Sequence, residues 1–190
     1  MPKIIKDIEE NIFNASIKLF GEYGYKQVDM KMISKKVGIA VGTLYNYYPN
    51  KKQLFISVFE KSWKNTFLKL DPIMKEEILP KEKIRKFVNL LYDEISARKG
   101  MGRELFKENV FDQENLNKIL SVKEKFLDEM ENLVKSVKKQ EEFMLEDGMD
   151  RRLAETVFIL IVEMRTQHTN EREKNIQFIN QLIECTYGNS

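Results

Sequence analysis

The sequence predicts an all-α protein of about nine helices, and three observations carry that prediction. Apolar residues recur at three- and four-residue intervals along most of the chain. Only four prolines and eight glycines interrupt 190 residues, and capping residues stand at the ends of the periodic stretches.

Ile5, Ile8, Ile12, Ala15, Leu19 and Tyr23 form the apolar stripe of a first helix that stops at Gly24. Asp29 is placed to cap a short second helix with Met30, Ile33 and Val37 inward, which Gly38 ends as a left-handed residue. A third helix, near Ala40 to Tyr47, finishes before Pro49, whose ring forces Tyr48 extended. Asn50 and Gln53 read as a reciprocal capping pair opening a long helix with Leu54, Phe55, Val58, Phe59 and Trp63 inward, ending at Asp71-Pro72. Pro80 starts the next, striped by Ile84, Phe87, Val88, Leu91 and Ile95, and Gly100 and Gly102 precede a brief segment through Val110. Leu116, Ile119, Leu120, Phe126, Leu127, Met130, Leu133, Val134 and Val137 then mark a helix of about seven turns, and Asp147-Gly148 closes the stretch after it. Asp150 is expected to cap a helix running through Leu153, Ala154 and Val157 to Val162 and on to Met164, so apolar that it must be buried on several sides. Asn170 with Glu173 is expected to cap the last, lined by Ile176, Phe178, Ile179, Leu182, Ile183 and Tyr187.

Composition removes several functional classes. The longest apolar run, Val157 to Val162, is far short of the roughly 20 residues that cross a bilayer. The mixed charges of Met1 to Asp7 do not make a signal peptide, so a cytoplasmic protein without membrane partners is expected. One cysteine, Cys185, and one histidine, His168, exclude an intrachain disulfide and leave too few soft ligands for zinc or haem; no metal or cofactor is expected. Cys185 reads as packing and His168 as a loop residue. No set of nucleophile, base and orienting group, and no glycine-rich phosphate loop, can be assembled, so an enzyme is not expected.

The net charge is only +2, but it is unevenly spread. Residues 1–52 hold nine lysines against five acids, and within 24–52 six lysines face Asp29 alone. Such local asymmetry fits a nucleic-acid footprint, although a solvated lysine-rich surface gives the same pattern. Geometry separates the two readings. Residues 28–47 are two short helices around a tight glycine turn, the shape in which a second helix enters the major groove while the first crosses the backbone.

Within this shape stand Gly21-Glu22-Tyr23-Gly24-Tyr25, Ile33-Ser34, Gly38-Ile39, Gly42-Thr43-Leu44-Tyr45-Asn46-Tyr47-Tyr48 and Asn50-Lys51-Lys52-Gln53-Leu54. In order and spacing this set resembles the signature of the TetR family of transcriptional regulators over about 50 residues. The resemblance implies a helix-turn-helix DNA-binding domain in residues 1–49 and an effector-binding and dimerisation domain in 50–190. The small first domain is expected to share core with the helix after Asn50. The resemblance also implies that Thr43, Tyr45 and Lys51 contact phosphates, positioning the protein rather than reading sequence. Lys31, Val41 and Tyr47 occupy positions from which family members reach base edges or neighbouring phosphates, and Gly42 lets the helix approach DNA closely. Ile33, Val37 and Leu44 hold the two short helices together.

Two residues depart from the family pattern. Ala40 stands where a capping serine is common and offers no oxygen to the first amides, so the third helix is expected to be looser before DNA binds. Val41 replaces a commonly polar or basic residue, which shifts readout toward apolar contact and DNA shape.

For residues 150–187 the resemblance implies pairing of helices with their twofold mates, a homodimer suited to a near-palindromic operator in double-stranded DNA. An unknown small-molecule effector would be lined by Trp63, Phe87, Tyr92, Phe126, Met130 and Glu163, with Phe67, Met101, Phe106 and Met164 near them, although most of these residues are equally expected as plain core. Glu163 interrupts an apolar face and is placed to meet a ligand cation, Arg165 or Arg103, or else to form a salt bridge at the dimer seam or stand on an exposed edge. The function so implied is a ligand-released repressor. The alternative, suggested by Ala40 and Val41, is a helical small-molecule-binding or enzymatic protein that keeps the fold without binding DNA.

Overall fold

The computed structural model describes residues 7–99, 101, 113–138, 146 and 148–186. Eight α-helices lie among them: α1 (Ile8–Gln27), α2 (Met30–Val37), α3 (Val41–Tyr47), α4 (Lys51–Lys75), α5 (Pro80–Ala97), α6 (Gln113–Lys138), α7 (Asp150–Gln167) and α8 (Arg172–Glu184). The described residues contain no strand, as an all-α chain requires. The expected brief helix through Val110 lies outside the described residues. No helix among those residues is long and apolar enough to cross a membrane.

Met1–Trp63 and Arg98–Ile119 form one structural unit; Lys64–Ala97 and Leu120–Ser190 form a second. In the first unit, α1 is interrupted where the sequence places its stop, with Gly24 at φ 77° and ψ 165°. Ile12, Phe20, Val28, Ile33, Leu44, Leu54 and Phe55 are buried together, so α1, α2, α3 and the start of α4 share one core. Phe20 meets Phe55 edge-on at 4.9 Å, and Tyr25 meets Phe55 edge-on at 5.1 Å. Buried aromatic rings of this kind stabilise by about 1.5–3 kcal/mol each through area alone, which is how a small unit gains a fixed shape.

In the second unit, Phe126 is the hinge of an aromatic row, 5.0 Å from Phe87 and 5.4 Å from Phe158. Arg172 forks onto both oxygens of Asp93 at 2.6 and 2.7 Å, and Arg85 pairs with Glu184 at 2.7 Å, so charged links join α8 to α5 toward both ends. Arg151 of α7 joins Glu124 and Asp128 of α6.

Four boundary or burial expectations require correction. The helix after Asn50 does not end at Asp71-Pro72: α4 continues through Pro72 to Lys75, with Glu76 N donating to Pro72 O at 3.1 Å and Lys75 pairing with Asp71 at 2.6 Å. Proline keeps a helical φ and forfeits one N–H while crowding one carbonyl, a penalty of about 3 kcal/mol that a long helix can bear. Asp150 is the first helical residue rather than the cap; Met149, already helical at φ −86° and ψ −10°, precedes it. Glu171, not Asn170, precedes α8, because a turn from His168 O to Glu171 N at 3.2 Å fixes where the helix starts. Finally, α7 buries one stripe, Ala154, Val157 and Ile161, while Ile159 stands 63% exposed.

Candidate nucleic-acid interface

Local chemistry sets the angle between α2 and α3. Asp29 Oδ1 accepts from Met32 N at 2.8 Å, fixing the start of α2 as the sequence predicts. At its end Gly38 is left-handed (φ 81°, ψ 33°), and the amides of Gly38 and Ile39 both donate to Ser34 O, at 2.9 and 3.0 Å. Ile33 and Leu44 are fully buried and lock the two helices, with Val37 half-buried beside them. Ala40 gives α3 no side-chain cap, so α3 begins on the Leu44 N to Ala40 O bond of 3.2 Å. Tyr48 is extended (φ −136°, ψ 107°), and Asn50 Oδ1 accepts from Gln53 N at 2.9 Å to start α4.

Burying Leu44 leaves the rest of α3 facing outward. Tyr45 and Tyr47 are 48% and 40% exposed, Gly42 and Lys31 are exposed, and Val41 and Thr43 are half-buried. Gly42 is informative because a Cβ there would meet nothing within 4 Å. Nothing inside the described chain requires glycine at that helical position, where it forfeits about 0.5–1 kcal/mol relative to alanine. These residues bring hydroxyls and the Lys31 ammonium to the outward side of α2 and α3, groups able to donate hydrogen bonds to phosphates.

Lys51, at the start of α4, is half-buried. Its ammonium donates to Tyr25 O at 2.8 Å and to Lys26 O at 3.4 Å, and it lies 4.3 Å from the centre of the Tyr25 ring. Burial pushes its pKa down, and Asp29 pulls it partly back. Backbone carbonyls carry no sequence signature, so this partnership is invisible in the chain.

The residues expected around an effector are distributed less simply. Phe87, Phe126 and Met130 are fully buried in the second unit, where Phe87 and Phe126 are in ring contact. Tyr92 is buried there too, its hydroxyl accepting from Asn175 Nδ2 at 2.8 Å. Trp63 belongs to the first unit and has the Arg98 guanidinium 4.3 Å above its ring. Glu163 is exposed on α7 and accepts from Gln167 at 2.8 Å, away from the buried set. Phe106 and Arg103 lie outside the described residues. Sequence reading missed Asn175, a buried polar residue on an otherwise apolar stripe that also donates to His168 O at 2.8 Å. The signal that could have found it is its position four and eight residues before Ile179 and Ile183, on their buried stripe.

Comparison with known proteins agrees with this surface. Residues 12–58 match the family model described as bacterial regulatory proteins, tetR family. The fatty acid metabolism regulator protein of Bacillus subtilis is 29% identical over 147 residues, covering 75% of this chain and 73% of that protein. The transcriptional repressor KstR of Rhodococcus jostii is 33% identical over 58 residues, 30% of this chain and 27% of that one. Among solved structures, the fatty acid degradation regulator FadR of Bacillus halodurans superposes with a TM-score of 0.76 at 22% identity, covering 95% of this chain and 96% of that one. FadR from Bacillus subtilis in complex with stearoyl-CoA gives 0.73 at 21% identity, covering 93% and 96%. The helix-turn-helix of residues 28–47, its outward α3 surface and these likenesses lead to one conclusion: residues 12–58 are similar to the DNA-binding region of the tetR family, and the chain is a DNA-binding transcriptional regulator.

Proposed function

We propose that the chain is a cytoplasmic repressor that binds a near-palindromic operator as a homodimer and leaves it when a fatty acyl thioester occupies its second unit. In this reading residues 1–49 are the DNA-binding domain and residues 50–190 the effector-binding and dimerisation domain. The observation that carries the DNA half is Gly42, a glycine with open space around it on the exposed face of α3. Lys31, Val41, Thr43, Tyr45 and Tyr47 complete the contact set. Regulation rather than catalysis is the chain's role.

Dimerisation through residues 150–187 is supported by apolar side chains that the single chain leaves in water: Ile159 at 63%, Phe178 at 44% and Leu182 at 40% exposure. Burying such residues against a twofold mate stabilises by about 25 cal/mol per Å². The effector class is supported by the fatty acid metabolism regulator to which the chain is 29% identical, and by the aromatic and methionine side chains of Phe87, Phe126 and Met130. Release then follows if the acyl thioester binds better to the conformation whose recognition helices are mis-spaced for DNA.

The test is selection of bound duplexes from random DNA, followed by titration of the winning duplex with stearoyl-CoA, isovaleryl-CoA, free stearate and coenzyme A. The expected result is an enriched inverted repeat, affinity falling steeply with salt, and release by an acyl thioester but not by coenzyme A. Absence of any enriched sequence would overturn the DNA reading. Enrichment without release by any acyl thioester would overturn the effector class alone.

A further inference from the structure

The ends of the helix-turn-helix are joined by one side chain. Residues 25–27 lead into α2, and Lys51 is the first residue after α3 and its connection. Lys51 Nζ bonds Tyr25 O at 2.8 Å across a separation of 26 residues, and Lys26 O at 3.4 Å. The last carbonyls of a helix lack intrahelical partners, and a cation placed there also meets the negative end of the helix dipole. The ring beneath the ammonium is itself held, stacked on Phe20 at 6.1 Å and edge-on to Phe55 at 5.1 Å. An ammonium has three donors, and here two point to carbonyls while an aromatic face lies 4.3 Å away.

We infer that Lys51 is a positioning residue, a clamp that closes the helix-turn-helix by tying the start of α4 to the end of α1, and not one of the phosphate contacts. This rests on the DNA-binding reading above. The exposed phosphate-facing groups are those of α3 and Lys31. Without the clamp, α3 stays tethered through residues 48–50, but the start of α4 is no longer fixed to the chain leading into α2. DNA binding then has to restore that order.

Salt dependence separates the two roles. A lysine that neutralises a phosphate contributes about 0.9 to the slope of log affinity against log salt for each phosphate, whereas a clamp changes affinity at constant slope. The experiment compares the full-length wild type with Lys51→Met, Lys51→Arg and Lys31→Met on the duplex recovered by selection, with melting temperatures measured beside it. Lys51→Met is expected to weaken binding about tenfold with an unchanged slope, and Lys51→Arg to restore most of the loss through charge-assisted bonds to the same carbonyls. Lys31→Met is expected to lower the slope. A slope for Lys51→Met reduced by about 1 per protomer, or unchanged affinity, overturns the clamp.

A measurement on wild type stands independently of how the variants fold. Reductive methylation with peptide mapping, without DNA, is expected to modify Lys51 at least about fivefold more slowly than Lys31, because the clamped ammonium is already bonded. Equal rates without DNA, with protection of Lys51 only when duplex is added, overturn the inference. If the wild type selects no duplex while Lys51 is still protected, the DNA reading fails and the clamp remains.

Discussion

Gly21 lies so close to Arg98 that a Cβ on Gly21 would come within 2.9 Å of the Arg98 carbonyl oxygen and 3.0 Å of the Lys99 Cβ. Beside this contact Lys99 pairs with Glu22 at 3.2 Å, so α1 is seated on the turn after α5 by a backbone approach and an ion pair. The obstacle to a side chain is a backbone atom, which cannot swing aside. Gly21→Ala gains about 0.5–1 kcal/mol of helix preference and loses about 1–3 kcal/mol to overpacking. We expect net destabilisation, read as a lower midpoint in urea at unchanged slope; a raised midpoint would show that the turn yields.

At Gly42 the same substitution is expected to have the opposite effect on stability. No atom lies within 4 Å of a Cβ there, so Gly42→Ala should stabilise the free protein by about 0.5–1 kcal/mol. Affinity for the selected duplex should nevertheless fall, because the added methyl stands between α3 and the DNA. Melting temperature and binding measured on one preparation check the pair of signs, and a variant both more stable and equally tight would remove Gly42 from the interface.

Asn175 holds the turn between α7 and α8 by donating to the Tyr92 hydroxyl and to His168 O, both at 2.8 Å, and to Met164 O at 3.3 Å. Asn175→Ala removes these hydrogen bonds from the turn, where Met164 O and His168 O keep only their backbone donors, His168 N and Glu171 N, and should destabilise by about 1–3 kcal/mol. Asn175→Asp should be worse at neutral pH, since a carboxylate would face the same carbonyls and accept from none of them. Tyr92→Phe removes one acceptor of the three and should destabilise least. Equilibrium unfolding in urea orders the three variants.

Glu131 supplies a pH signature. The Lys135 hydrogen bond, with Arg151 adding to it, holds its carboxyl below the ordinary value of 4.5. A group whose folded pKa is depressed contributes stability above its unfolded value, and that contribution is lost as the pH falls through the folded value. Glu131→Gln should therefore melt below wild type at pH 7, with the gap beginning to close near the ordinary value of 4.5 and vanishing at more acid pH. A gap that stays constant throughout would place the effect in packing rather than in charge.

What the sequence alone determined is the part of the molecule governed by short range. Asp29 before α2, Gly38 after it, Tyr48 ahead of Pro49, and Asn50 before α4 act over three or four residues, so their roles follow from residue type and spacing. The burial of Ile33 and Leu44, and hence the outward face of Tyr45 and Tyr47, follows from the same periodicity. The tertiary structure decided what depends on partners far along the chain. It carried α4 through Pro72, and it buried one side of α7 while leaving Ile159 in water. It chose Glu171 over Asn170 before α8, and it brought the Lys51 ammonium to the carbonyls of Tyr25 and Lys26. The physical reason is common to these cases. A lysine or an asparagine announces its donors, but the backbone carbonyl that accepts from it belongs to every residue alike, and only the folded chain brings a particular one within reach.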